Sequence, residues 1–131
     1  MIDPVAPWAS GFLYATSALF LFVYALPILF MPLRWARWFR WQVDARDEDN
    51  HLLLYFARCL GAVALALVGC FAAIAPRASQ HGRFFDLIVV VGVLLAGVHV
   101  WGAVRKQQPW TETAEIGLYA GAALAAWLLH P

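Results

Sequence analysis

Between Asp3 and Arg34 the sequence carries no charged side chain. That run exceeds the roughly 20 mainly apolar residues a helix needs to cross a hydrocarbon layer of about 30 Å. Similar runs recur along the chain. The first spans Trp8 to Met31, the second about His51 to Ile74, the third about Phe84 to Val104, and the fourth runs from near Glu112 to His130-Pro131. All are continuous and rich in Ala and Leu, whereas membrane strands alternate. The pattern predicts an all-α integral membrane protein, one domain of four transmembrane helices packed as a bundle. Composition agrees, with 63% hydrophobic and 13% charged residues against about 45–50% and 25% in soluble domains. Mean hydropathy is +0.70, which excludes a solvated globule and a disordered chain. Nine Lys and Arg against eight Asp and Glu give a formal charge of +1, so no basic surface points to nucleic acid.

Segment boundaries have chemical causes. Pro32, Pro76 and Pro109 follow the first, second and third segments, where a residue without an N–H ends a helix. The acidic run Asp47-Glu48-Asp49-Asn50 suits the start of the second helix, and Thr111, Glu112 and Glu115 the start of the fourth. There the carboxylates meet unsatisfied N–H groups and the positive end of the helix dipole. Pro27 lies inside the first helix; it should kink it and strip the carbonyl near Val23 of its usual donor.

Between the first two spans, Arg34, Arg37 and Arg40 recur every third residue, with Trp35, Trp38, Phe39 and Trp41 interleaved. At 100° per residue the arginines share one arc and the aromatics mostly a neighbouring one. This predicts a short interfacial helix, indoles at the acyl boundary and guanidinium groups on lipid phosphates. Docking on a partner subunit would give a similar pattern. The loops on that side hold Arg34, Arg37, Arg40, Arg46, Arg105 and Lys106, the opposite side Arg77 and Arg83. The positive-inside rule therefore puts the first group in the cytoplasm and both termini outside, in a plasma or bacterial inner membrane. The N-terminal apolar run has no basic flank, so no cleaved signal peptide is expected.

Cys59 and Cys70, eleven residues apart on one helix, are about 16 Å distant along its axis and cannot bridge. They read as small buried packing residues. Gly117 and Gly121, with Ala125 a turn further on, form a small-residue stripe that serves packing inside the chain or a homodimer.

Ionisable groups inside membrane helices are costly and usually point inward, so each is a candidate site. His51, Tyr55 and Arg58 share a face of the second helix, His99 lies near the cytoplasmic end of the third, and Glu115 and Tyr119 share a face of the fourth. These six are expected to form a polar cluster with Arg58 paired to Glu115, Glu112 and Asp49 being alternative partners. The cluster is either an inward ion pair locking helices together or a cavity for an anionic headgroup, a quinone-like molecule or a proton. His99 is also a candidate axial ligand to haem or chlorophyll. No cofactor is predicted. A metal site of His51, His99 and Glu115 is geometrically conceivable but lacks a local ligand motif, so none is expected.

Arg58-Cys59-Leu60-Gly61-Ala62 opens an apolar helix that continues through Gly69. An Arg-x-Leu-Gly start within a four-span chain of this length resembles the DoxX-like group of small bacterial membrane proteins. In that group the pattern tends to occupy the first span, here the second. The resemblance implies a compact four-helix bundle, often tied to redox or quinone-linked partners, with no shared catalytic residues to transfer.

The leading functional expectation is a non-catalytic accessory subunit, or a binding module for lipid or another hydrophobic molecule. Its partners would be the bilayer, other membrane subunits or a second copy. A membrane enzyme or proton-coupled carrier using Arg58, Glu115, His99 and the tyrosines is the alternative. A haem- or chlorophyll-binding subunit built on His99 is the second.

Overall fold

The computed structural model describes residues 6–131, except for the side chains of residues 6, 45 and 48. It is 85% helical, with no strand among the described residues. The helices are α1 (Ala6–Phe20), α2 (Leu26–Phe30), α3 (Pro32–Trp38), α4 (Ala45–Glu48), α5 (His51–Ile74), α6 (Gly82–Val104) and α7 (Trp110–Leu128). A π-helical turn at Leu21–Ala25 joins α1 to α2, and a 3₁₀ segment, Ala75–Gln80, joins α5 to α6. Three helical stretches among the described residues are long and apolar enough to cross a membrane: Pro7–Phe30, His51–Gln80 and Gly82–Val104. The C-terminal α7 has the length, but Glu112 and Glu115 in its first two turns dilute its apolar character, and it is not among them.

The chain divides into two compact units, one holding residues up to Leu13 with Ile74–Pro131, the other Tyr14–Ala73. In the first unit, α6 and α7 form an antiparallel hairpin. Asp86 meets His130 near one end, Gly92 meets Tyr119 and Ala123 in the middle, and His99 meets Glu112 and Glu115 toward the loop. A Cβ on Gly92 would lie 2.9 Å from the Tyr119 carbonyl oxygen and 3.0 Å from the Ala123 Cβ. Glycine is therefore what lets these helices approach. Phe85 and Leu13 are fully buried, Phe12 stacks on Phe85 at 6.2 Å, and the Ser10 hydroxyl donates to the Ala75 carbonyl. The interior thus combines small residues with a few large anchors.

The second unit is organised by Pro27. Because proline has no N–H, the carbonyl four residues earlier loses its helical donor. Trp35 supplies a replacement, its indole N–H donating to the Val23 carbonyl at 2.8 Å. Just before the proline, the Leu26 N–H reaches back five residues to Leu21, the widened turn of a π-bulge. Trp35 is thereby folded inward, against Phe39 at 4.7 Å and Tyr24 at 6.1 Å, instead of lying in a flat interfacial row. Arg34, Arg37, Arg40, Trp38 and Trp41 remain exposed as expected. The helix itself is only seven residues long. It ends at Arg40, whose φ of 65° is left-handed. The Arg40 N–H bonds to Arg37 and the Trp41 N–H to Ala36, the pairing of a Schellman motif that usually carries glycine.

Several expectations change. Gly117 and Gly121 are exposed, and a Cβ at either would meet nothing within 4 Å, so neither packs helices inside the chain. Gly61 and Gly92 do so instead; a Cβ on Gly61 would reach 2.5 Å from the Leu29 backbone nitrogen. Cys59 and Cys70 are exposed on α5, not buried. Asp47 serves α4, accepting from the Asp44 N–H at 2.9 Å, while α5 is capped by Asn50, whose side chain accepts from the Leu53 N–H at 3.0 Å.

Candidate functional site

The α6–α7 hairpin gathers four of its polar side chains at one level. Glu112 and Glu115 lie three residues apart, so both face the same side of α7. His99 on α6 faces them. Its Nε2 is 3.2 Å from Glu112 Oε2 and 3.6 Å from Glu115 Oε2. One turn further along α7, the Tyr119 hydroxyl donates to Glu115 Oε2 at 3.0 Å, and its ring packs 4.9 Å from the imidazole. The side chains of His99, Glu112 and Glu115 are 12%, 9% and 8% exposed. These are therefore buried ionisable groups, which are held only where partners offset the loss of water.

The orientation of His99 follows from its other nitrogen. Nδ1 lies 2.8 Å from the Leu95 carbonyl oxygen. A carbonyl only accepts, so Nδ1 carries a proton and Nε2 is left to face the carboxylates. A second brace comes from the loop, where the Gln108 side-chain amide donates to the His99 carbonyl at 3.0 Å and to the Thr113 hydroxyl at 3.2 Å. Gly102 makes room for Gln108, since a Cβ there would collide with the amide oxygen. The imidazole is thus fixed from its own helix and from the turn that joins it to α7.

Of the six residues expected to cluster, the structure brings together His99, Glu115 and Tyr119, and adds Glu112. His51, Tyr55 and Arg58 belong to the other unit and lie exposed on α5. Glu115, the expected partner of Arg58, is engaged within its own unit by Tyr119 and His99. Glu112, read from sequence as a dipole partner at a helix start, is turned into the site. The signal that could have recruited it was its three-residue spacing from Glu115. The imidazole of His130 sits 3.3 Å from Asp86 and 6.3 Å from the Phe85 ring.

A concavity lies wholly in the other unit. A half-open cleft of about 270 Å³ is lined by Ile28, Leu33, Trp35, Leu53, Leu54 and Leu60, with Trp41, Gln42 and Asp47 also on its wall. Its lining is mainly apolar, and α3, which forms one side, also carries Arg34 and Arg37.

Comparison with known proteins returns no matching family model, no matching curated protein and no matching solved structure. The DoxX-like resemblance of Arg58, Leu60 and Gly61 gains no support from them.

Proposed function

We propose that this chain is a small polytopic membrane protein that acts without catalysis, as a module binding lipid or another hydrophobic molecule, or as an accessory subunit beside other membrane proteins. The observation that carries this reading is the outward apolar surface. Only 17% of the most apolar window of His51–Gln80 is buried inside the chain, and 11% of that of Gly82–Val104. Exposed contiguous apolar surface on this scale marks contact with membrane or protein rather than water. In this reading α7 completes four spans of a bundle, and both termini face away from the cytoplasm of a plasma or bacterial inner membrane. The cleft beside α3 takes an acyl chain, while Arg34, Arg37 and Arg40 meet the headgroup phosphate.

Flotation with vesicles containing phosphatidylglycerol, followed by native mass spectrometry from mild detergent, tests the reading. The chain should float, resist carbonate extraction and retain phospholipid, with retention reduced several-fold by replacing the three arginines with glutamine. A chain that stays soluble without detergent, or that loses no lipid on that replacement, overturns it.

A further inference from the structure

We propose that His99, Glu112 and Glu115 form a binding site for a single divalent transition-metal ion, best matched by Zn²⁺. The three side chains each aim one ligand atom inward, and those atoms all lie within 4.8 Å of one another. Ligand bonds of about 2.0–2.2 Å at tetrahedral angles put neighbouring ligand atoms about 3.3–3.6 Å apart. The distances from Nε2 to the two carboxylates, 3.2 and 3.6 Å, already match that spacing.

The second observation is independent of the spacing. Leu95 holds Nδ1, so Nε2 is the ring nitrogen that faces the two carboxylate oxygens. Three ligand-type atoms thus converge on one point, where a cation balances the two carboxylates. A ring nitrogen bonded to a backbone carbonyl while the other faces the metal is the usual outer support of a ligating histidine, and a hydrogen-bonded carboxylate ligand is its counterpart. Tyr119 gives Glu115 that bond. One imidazole with two carboxylates suits a borderline cation better than a soft one, which would favour thiolates. A doubly charged ion with two carboxylates and a neutral imidazole has no net charge, the state that apolar surroundings cost least. Three protein donors leave the fourth tetrahedral position to water. This site lies in one unit and does not depend on the lipid-binding cleft in the other.

The test uses the full chain, purified in detergent without a histidine tag, stripped with chelator and dialysed against Zn²⁺ or Co²⁺ alone. One ion per chain is expected, with Co²⁺ giving visible absorption bands of four-coordinate intensity. His99→Gln, Glu112→Gln and Glu115→Gln should each weaken Zn²⁺ binding at least tenfold, and Tyr119→Phe about tenfold. His81→Gln should leave it unchanged, and circular dichroism should confirm retained helix in every variant. Failure of the helical wild-type chain to bind Zn²⁺ near equimolar stoichiometry overturns the proposal, even if a ligand variant does not fold. So does binding that survives His99→Gln intact.

Discussion

Trp35 illustrates how one side chain can repair a defect that another creates. Pro27 deprives the Val23 carbonyl of a helical donor, and the indole N–H takes its place at 2.8 Å. Trp35→Phe should therefore cost about 1–3 kcal/mol, the penalty for a buried unsatisfied acceptor. Pro27→Ala restores an N–H to the helix, so the double variant should melt above Trp35→Phe alone in detergent. Strictly additive melting shifts would remove the hydrogen bond from the account. The missing donor near Val23 was legible from Pro27. Its replacement was not, because nothing in a local pattern says which of several neighbouring indoles will turn inward. A further residue-scale prediction concerns Arg40 and Lys106, both left-handed, with φ of 65° and 54°. Each occupies the position after a helix end where glycine avoids a steric penalty. Arg40→Gly and Lys106→Gly should each raise stability by about 1 kcal/mol, seen as a higher melting temperature.

Helix existence was readable to within a few residues, whereas helix facing was not. The boundaries of α5, His51 and Ile74, coincide with the apolar run, and α6 starts two residues before the expected Phe84. Length and hydropathy determine such limits, and both are local properties. Which side of a helix meets its neighbour depends on partners distant in sequence. For that reason the glycine pair at 117 and 121 attracted notice while Gly61 and Gly92 make the close approaches. Gly61→Leu and Gly92→Leu should destabilise the fold by about 1–3 kcal/mol or more through overpacking. Gly117→Leu and Gly121→Leu should stay within about 0.5 kcal/mol of the parent. Equal melting losses at all four positions would refute this division. The same limitation governed the candidate site. The shared face of Glu115 and Tyr119 was visible from spacing, but the antiparallel pairing that sets His99 opposite Glu112 is a tertiary fact.

At the level of the whole chain, the apolar surface makes a prediction about chemical reactivity. Cys59 and Cys70 are both exposed on α5, and under the proposed bilayer insertion acyl chains would shield them from charged reagents. In reconstituted vesicles both should resist a membrane-impermeant maleimide and become labelled only after denaturation in SDS. Rapid labelling of both in intact vesicles would mean that this face of α5 is wet. The π-turn at Leu21–Ala25 has its own consequence for the molecule. It acts as a phase adjuster, because each residue added to or removed from a helix advances or retards everything downstream by about 100°. Excising the outward-facing Phe22 would let the bulge relax into an ordinary coil of helix. Residues downstream would keep their facing, with Pro27 and Ile28 still turned inward. The same excision from the regular α5, with no bulge to absorb it, would turn every later residue of that helix by about 100°.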